Sequence, residues 1–195
     1  MLERQAPVNT MDAIYKRRSV RSYSSQKLDP ATIQTVLKAA VWAPTAVHEE
    51  PWAFAIVQDS AYLKRLSDRA KPLFIEEVHR AHLDRGGHAL EIFAQPDFNI
   101  FYNANTLIVI CGKPMGPFVV ADCWLAAENL MIAAYAMGLG TCVIGSAVPA
   151  LNTRESKAEL NIPPECTAIA PIIVGAPSGQ APTSHRKEAE ILCWK

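Results

Sequence analysis

The stretch FVVADCWLAAENLMIAAYAMGLGTCVIGS, residues 118–146, holds the longest predicted helix of the chain and the strand that follows it. Between 118 and 137 the residues are apolar on nearly all sides, which predicts a central helix packed against several neighbours. Gly138 and Gly140 end this helix, since glycine readily adopts the left-handed conformation of a helix C-terminus. Residues 141–145 then predict a strand.

Helical and extended segments alternate on both sides of this stretch. A helix is predicted to begin at Asp29-Pro30, with proline in its first turn, and to end near Ala43. Taken alone, the alternation favours a parallel sheet. No repeat or linker interrupts the 195 residues, so one domain, 1–195, is predicted. The other predicted elements are a helix capped by Ser60, a helix over 148–160, and strands over 52–57, 106–111 and 168–175.

Two segments are predicted to be peripheral. Residues 71–100 are polar, contain a Gly-Gly pair and several histidines, and predict a variable, mobile helical excursion rather than core. The histidines lack the cysteine and carboxylate neighbours of a zinc site, so no metal is predicted. Residues 183–195 predict a C-terminal arm, and its apolar Ile191, Leu192 and Trp194 are expected to dock on another surface, for which a second subunit is suitable.

Composition argues against several classes of protein. The 19 basic and 19 acidic residues balance, so no broad basic face for nucleic acid is expected. The N-terminus lacks an apolar secretion signal, and no window is expected to reach the roughly 18 apolar residues of a membrane span, which predicts a cytoplasmic protein without membrane contact. The five cysteines are widely spaced and lie mostly among aliphatic residues, which predicts reduced, mostly buried thiols.

A cationic cluster, Arg17-Arg18-Ser19-Val20-Arg21, follows the amphipathic segment 11–16. Guanidinium groups stay charged at any working pH and present planar pairs of donors that match phosphate oxygens, while Ser19 adds an uncharged donor. The cluster therefore indicates a phosphate site. The alternative interpretation is a solvated helix end, where cations interact favourably with the partial negative charge of the helix C-terminus.

The order of several motifs resembles that of the flavin-dependent nitroreductases over nearly the whole chain. Residues 17–21 match an Arg-Arg-Ser-x-Arg pattern, and residues 43–52, APTAVHEEPW, match Ala-Pro-Ser-Ala-Gly-Asn-x-x-Pro-Trp. Each motif is weak alone, but their shared order and spacing identify the chain as a member. The later matches are Glu128-Asn129-Leu130, residues 138–146, Asn161-Ile162-Pro163-Pro164, residues 171–175 and Arg186.

The resemblance implies an α+β fold with a mostly antiparallel central sheet flanked by helices, in an intertwined homodimer that binds FMN at the subunit interface. This implied antiparallel sheet takes the place of the parallel sheet that the alternation of helices and strands favoured. It also implies that Arg17, Ser19 and Arg21 bind the phosphate and ribityl chain of FMN, with Arg18 nearby and Arg186 adding charge. The residues implied to reach the flavin from the other subunit are Pro44, Thr45, Ala46 and His48, and those implied to lie against its ring are Ile144, Gly145 and Ser146.

The implied activity is that of an FMN-dependent NAD(P)H oxidoreductase. Such an enzyme takes hydride from NADH or NADPH and passes electrons to a nitroaromatic, a quinone or a similar flat acceptor in a ping-pong cycle. No side chain is needed as a nucleophile or proton relay, because the flavin carries the chemistry. Two alternatives stay open: a branch of the same family that consumes flavin or removes halogen, and a flavin-binding protein without catalytic activity.

The chain departs from the family's patterns in three places. Val47-His48 replaces Gly-Asn, so a β-branched residue stands where a conformationally free one is usual. Glu49-Glu50 replaces Gln-Gln and brings acidic charge toward an anionic cofactor, unless both side chains turn to solvent. Ser146 replaces the second glycine of a Gly-Gly pair and adds a hydrogen-bonding group.

Overall fold

A computed structural model describes residues 8–82, 88–179 and 185–195. Within these ranges the sheet consists of β1 (Trp52–Val57), β2 (Leu107–Gly112), β3 (Gly140–Val143) and β4 (Thr167–Gly175). The strands lie in the order β1-β2-β4-β3, and every neighbouring pair is antiparallel. The antiparallel α+β architecture implied by the resemblance is confirmed, and the parallel sheet favoured by alternation is wrong.

The central strands explain that error. All six residues of β2 are buried, and in β4 only the first of nine residues is exposed. A strand covered on both faces is apolar throughout, as the strands of a parallel sheet are. The apolar pattern therefore reports burial on both faces, and it carries no information about strand direction.

Helices cover both faces of the sheet. The helix predicted to begin at Asp29-Pro30 is present as α2 (Pro30–Ala40), which ends three residues before the predicted Ala43. Asp29 caps it, because its Oδ1 accepts the N–H of Thr32 at 2.9 Å. The predicted cap at Ser60 is wrong: Asp59 caps α3 (Ser60–Arg80), with its Oδ1 accepting the N–H of Tyr62 at 3.0 Å. The described helices are α1 (Thr10–Lys16), α2 (Pro30–Ala40), α3 (Ser60–Arg80), α4 (His88–Ala94), α5 (Val119–Ala136), α6 (Val148–Leu151) and α7 (Arg154–Glu159).

In the part of the chain that the structure describes, two hydrophobic clusters form the core, one on each face of the sheet. One cluster joins α3 and α6 to residues 100–104, and the other joins α2 and α5 to the opposite face. The sequence was expected to contain no segment long and apolar enough to span a membrane, but by length and composition α5 is such a segment. Its inner side packs in the core, whereas Val120, Trp124 and Leu125 on its outer side are exposed.

The predicted helix over 148–160 is interrupted. The amide of Asn152 pairs with the backbone of β4, donating to the carbonyl of Ala168 and accepting from its N–H, each at 2.9 Å. Thr153 then caps a new helix by accepting the N–H of Ser156 at 3.2 Å. Side chains that bond the backbone in this way end helices locally, so the chain turns between α6 and α7.

Residues 83–87 of the predicted excursion 71–100 lie outside the described residues, and the described parts on either side of them are bonded to each other. The first ten residues of the excursion complete α3, which ends at Arg80. The ammonium group of the buried Lys71 donates to the carbonyls of Gln95, Pro96 and Phe98 at 3.1–3.2 Å. The chain that follows α4 is thereby fastened to α3.

Candidate functional site

The cationic cluster lies along the edge of the sheet. Helix α1 ends at Lys16, and the extended chain after it forms a parallel bridge between Ser19 and Thr141 of β3. The N–H of Val20 donates to the carbonyl of Thr141 at 2.9 Å. Gly140 makes this approach feasible, because a Cβ built there would lie 2.8 Å from three atoms of the Val20 side chain.

Alternate residues of the cluster lie along β3, near Cys142. Residues i, i+2 and i+4 of an extended segment share a face, and the thiol of Cys142 interacts with Arg17, Ser19 and Arg21. Burial raises the pKa of the Cys142 thiol, while the charge of Arg21, a hydrogen bond with Ser19 and the charge of Arg17 act in the opposite direction. The cluster thus supplies donors and positive charge beside this strand.

Arg17 and Arg18 behave differently. The Nε of Arg17 is buried and has no hydrogen-bond partner within the described residues, since its closest carboxylate oxygen, Oε1 of Glu128, is 3.7 Å away. Arg18 donates to the carbonyls of Tyr15 and Arg17, at 2.6 and 2.7 Å. Arg18 therefore fits the alternative interpretation, a helix-end cation, whereas Arg17 keeps an unused donor.

A small cavity of about 80 Å³ joins Arg21 to the turn after β3. That turn is a short 3₁₀ helix, Gly145–Ala147, where a strand had been predicted through 145. Apart from Gly145 and its two chain neighbours, no residue of the described chain has an atom within 4 Å of a Cβ built at Gly145, so the space beside it is open. The sequence did not indicate several of the side chains around this cavity, namely Phe93, Phe98, Tyr102 and Cys142.

The residues implied to act across the interface lie elsewhere in the chain. Pro44, Thr45, Ala46 and His48 form the loop between α2 and β1, which is fixed to α5: Oδ1 of Asp122 accepts the N–H of Ala46 at 3.2 Å. Asp122 is 3% exposed, and its Oδ2 is buried without a partner in the described chain. The sequence could have singled out Asp122, because an acidic residue in an otherwise apolar, buried helix is unusual.

The departures from the family pattern have visible consequences. Val47 and His48 have φ values of 46° and 58°, in the left-handed region. The carboxylate of the half-buried Glu49 turns toward Gly116, with Oε2 3.1 Å from the position of a built Cβ, and Glu50 is exposed.

Arg186 lies in the exposed tail and has no ion pair with the rest of the described residues.

The sequence profile of the Nitroreductase family matches residues 14–175. The chain belongs to this family. The predicted family, and with it the prediction of an oxidoreductase enzyme, are confirmed.

Individual relatives extend over most of the chain. A candidate NADH dehydrogenase/NAD(P)H nitroreductase of Archaeoglobus fulgidus is 29% identical over 172 residues, which cover 86% of this chain and 84% of the relative. An iodotyrosine deiodinase of Thermotoga neapolitana is 26% identical over 187 residues, 92% of this chain and 95% of the relative. A solved nitroreductase with bound FMN from Bacteroides fragilis has a TM-score of 0.81 at 23% identity, covering 95% of this chain and 98% of that chain.

Proposed function

We propose that the protein is an FMN-dependent NAD(P)H oxidoreductase that reduces nitroaromatics, quinones or similar flat acceptors in a ping-pong cycle. The observation that carries the proposal is the placement of Arg17, Ser19 and Arg21 along β3, where Ser19 bridges Thr141 and Arg21 lines the cavity beside Gly145. Family membership and the FMN-bound relative support the same cofactor.

The donor set fits an anionic cofactor. Arg17 has a buried Nε that lacks an acceptor, and burying such a donor unpaired is costly unless a ligand satisfies it. Ser19 and Arg21 supply further donors on the same face. These residues would hold the phosphate and ribityl chain, with Arg186 from the tail adding charge. Arg18 already donates to backbone carbonyls at the end of α1.

The residues after β3 suit the flavin ring. When bound, FMN supplies two-electron chemistry through its isoalloxazine ring. Ile144 is buried and would back the ring, and Gly145 lacks a side chain, so backbone donors can approach closely. Ser146 lines the same cavity and would add a hydroxyl. Bound donors near a ring that gains negative charge stabilise its reduced form.

A homodimer is part of this proposal. The outer side of α5 exposes Val120, Trp124 and Leu125, and exposed apolar patches of this kind mark association surfaces. Leu192 and Trp194 of the tail are 90% and 86% exposed, so they also lack a covering surface within the described chain. A second copy would cover these groups and bring Pro44, Thr45, Ala46 and His48 to the flavin. The cytoplasmic location stays a prediction.

Flavin uptake and turnover test the proposal. Purified protein is expected to be yellow or to take up FMN on titration, and anaerobic NADH or NADPH should bleach the bound flavin. An acceptor panel of nitroaromatics and quinones then restores the colour. Protein that stays colourless at every FMN concentration contradicts the proposal, and bound FMN that neither nucleotide bleaches would leave a flavin-binding protein without this activity.

Reductive dehalogenation is a second candidate. The observation that favours it is the similarity to the Thermotoga neapolitana deiodinase over 92% of this chain. Iodide release from 3-iodotyrosine by the FMN-loaded, chemically reduced protein tests it. Absence of iodide, together with rapid reduction of nitroaromatics, would exclude this branch.

A further inference from the structure

Arg21 is paired with an aromatic ring. Its guanidinium carbon lies 5.7 Å from the centre of the Tyr102 ring, within the range of about 6 Å in which a cation is attracted to an aromatic face. Arg17 has Glu128 nearby, whereas Arg21 has no carboxylate partner in the described part of the chain. Arg21 is exposed, so the ring of Tyr102 restricts a side chain that solvent would leave free.

The turn that presents Tyr102 has an unfavourable backbone. Tyr102 and Asn103 have φ values of 51° and 55°, a region that side chains with a Cβ occupy only at a cost in conformational energy. Asn99 stabilises the turn, because its carbonyl accepts the N–H of Tyr102 and its Oδ1 accepts the N–H of Phe101, both at 2.9 Å. Its amide also donates to Oδ1 of Asn103 at 3.1 Å.

A row of aromatic rings also packs against the Tyr102 ring. Phe98 meets Tyr102 edge-on with the ring centres 5.8 Å apart, and Phe93 meets Phe98 at 5.5 Å. Phe74 of α3 completes the row, 4.9 Å from Phe93. Lys71 fixes the same segment by donating to the carbonyl of Phe98 at 3.1 Å. The row connects Arg21 to the core helix α3.

We propose that Tyr102 is a positioning residue for the flavin site, acting through Arg21. Its ring holds the guanidinium at the cavity shared with Cys142 and Gly145, in the orientation that binds FMN. The inference rests on the proposed function, since it assumes FMN as the ligand. It assigns a role in cofactor binding to a segment outside the motifs shared with the family.

Flavin fluorescence titration with FMN tests this role. Tyr102→Leu, which removes the aromatic face, is expected to weaken FMN binding about two- to five-fold, the effect of one exposed cation–aromatic pair. Tyr102→Phe keeps the face and should bind like the wild type. Tyr102→Gly suits the left-handed backbone, so it should bind as weakly as the leucine variant although its turn is unstrained.

Two controls separate positioning from a general structural effect. Arg65, whose guanidinium carbon lies 5.4 Å from the Tyr62 ring centre on α3, forms a matched pair outside the site, and Arg65→Ala should leave FMN affinity unchanged. In an Arg21→Ala background, Tyr102→Leu should have no further effect on affinity. Equal weakening in both backgrounds, or wild-type affinity in Tyr102→Leu, overturns the inference while the proposed function stands. A wild type that binds no FMN rejects both.

Discussion

Replacement of Gly140 by alanine tests the contact that carries the cationic cluster. The added Cβ would lie 2.8 Å from three atoms of Val20, about 1 Å closer than the favourable separation of two carbon atoms. Residues 19–21 must therefore move away from β3. A shift of this size stretches the 2.9 Å hydrogen bond from Val20 to Thr141 beyond the limit of about 3.5 Å.

Both stability and cofactor binding should fall in Gly140→Ala. Overpacking of this kind costs about 1–3 kcal/mol, which lowers the urea midpoint by about 0.4–1.2 M for an m-value of about 2.5 kcal/mol/M. If the shift removes one charge-assisted contact of Arg17 or Arg21, worth about 1.5–3 kcal/mol, the Kd for FMN rises about ten- to hundred-fold. Circular dichroism in urea and an FMN titration measure the two effects.

Val20→Ala provides the internal control, because it removes two of the three crowding atoms. In the double variant with Gly140→Ala, both losses should be partly reversed, with a coupling free energy of about 0.5–3 kcal/mol. A Gly140→Ala protein with the midpoint and FMN affinity of the wild type would refute this reasoning. So would losses that Val20→Ala leaves fully in place.

Four further outcomes are expected. Arg21→Ala should weaken FMN binding by about 1.5–3 kcal/mol in a titration, and unchanged affinity would reject its assignment. Lys71→Met leaves three carbonyls without their donor and should lower the free energy of unfolding by about 2–3 kcal/mol, measured in urea. Hydrogen bonds from Lys64, and then from Lys71, lower the pKa of Asp68. The ionised carboxylate therefore stabilises the fold above the ordinary carboxyl pKa of about 4, and this stabilisation is lost as the pH falls through the lowered pKa. Over that acid range, the Asp68→Asn variant should lose less stability than the wild type, measured by urea unfolding at each pH. A thiol reagent should titrate one cysteine in the native protein, Cys193, and five in urea, because burial raises the pKa of the Cys111 and Cys123 thiols to about 11 and about 12.

Local signals in the sequence were sufficient to predict the position of individual helices and strands. The helix start at Asp29-Pro30 and the strand at 52–57 depend on neighbouring residues alone, and both were predicted correctly. Strand direction is different, since it depends on which strands pair, and β2 pairs with β1 and β4 across long stretches of chain. The motif order supplied that information where the apolar pattern did not.

The candidate site was predictable only where it consists of contiguous motifs. The spacing of Arg17, Ser19 and Arg21 predicts that they share a face once the segment is extended. Cys142 and Tyr102 join them through tertiary contacts, one through the bridge to β3 and one through a turn in the left-handed region. No pattern within a short window of sequence reports such contacts, so these two residues emerged only from the structure.

The loop after α2 has an unusual backbone at Val47-His48, the positions where the family's pattern has Gly-Asn. Val47, His48 and Glu50 all have positive φ values, and a β-branched residue is least suited to that region. Strained backbone persists only where the surroundings determine it, and the buried Asp122 supplies one such constraint by binding the N–H of Ala46. The chain thus keeps a glycine-like conformation without glycine. A β-branched residue in the left-handed region lowers stability, so stability does not account for it. We therefore expect the flavin site to require the backbone shape of this loop.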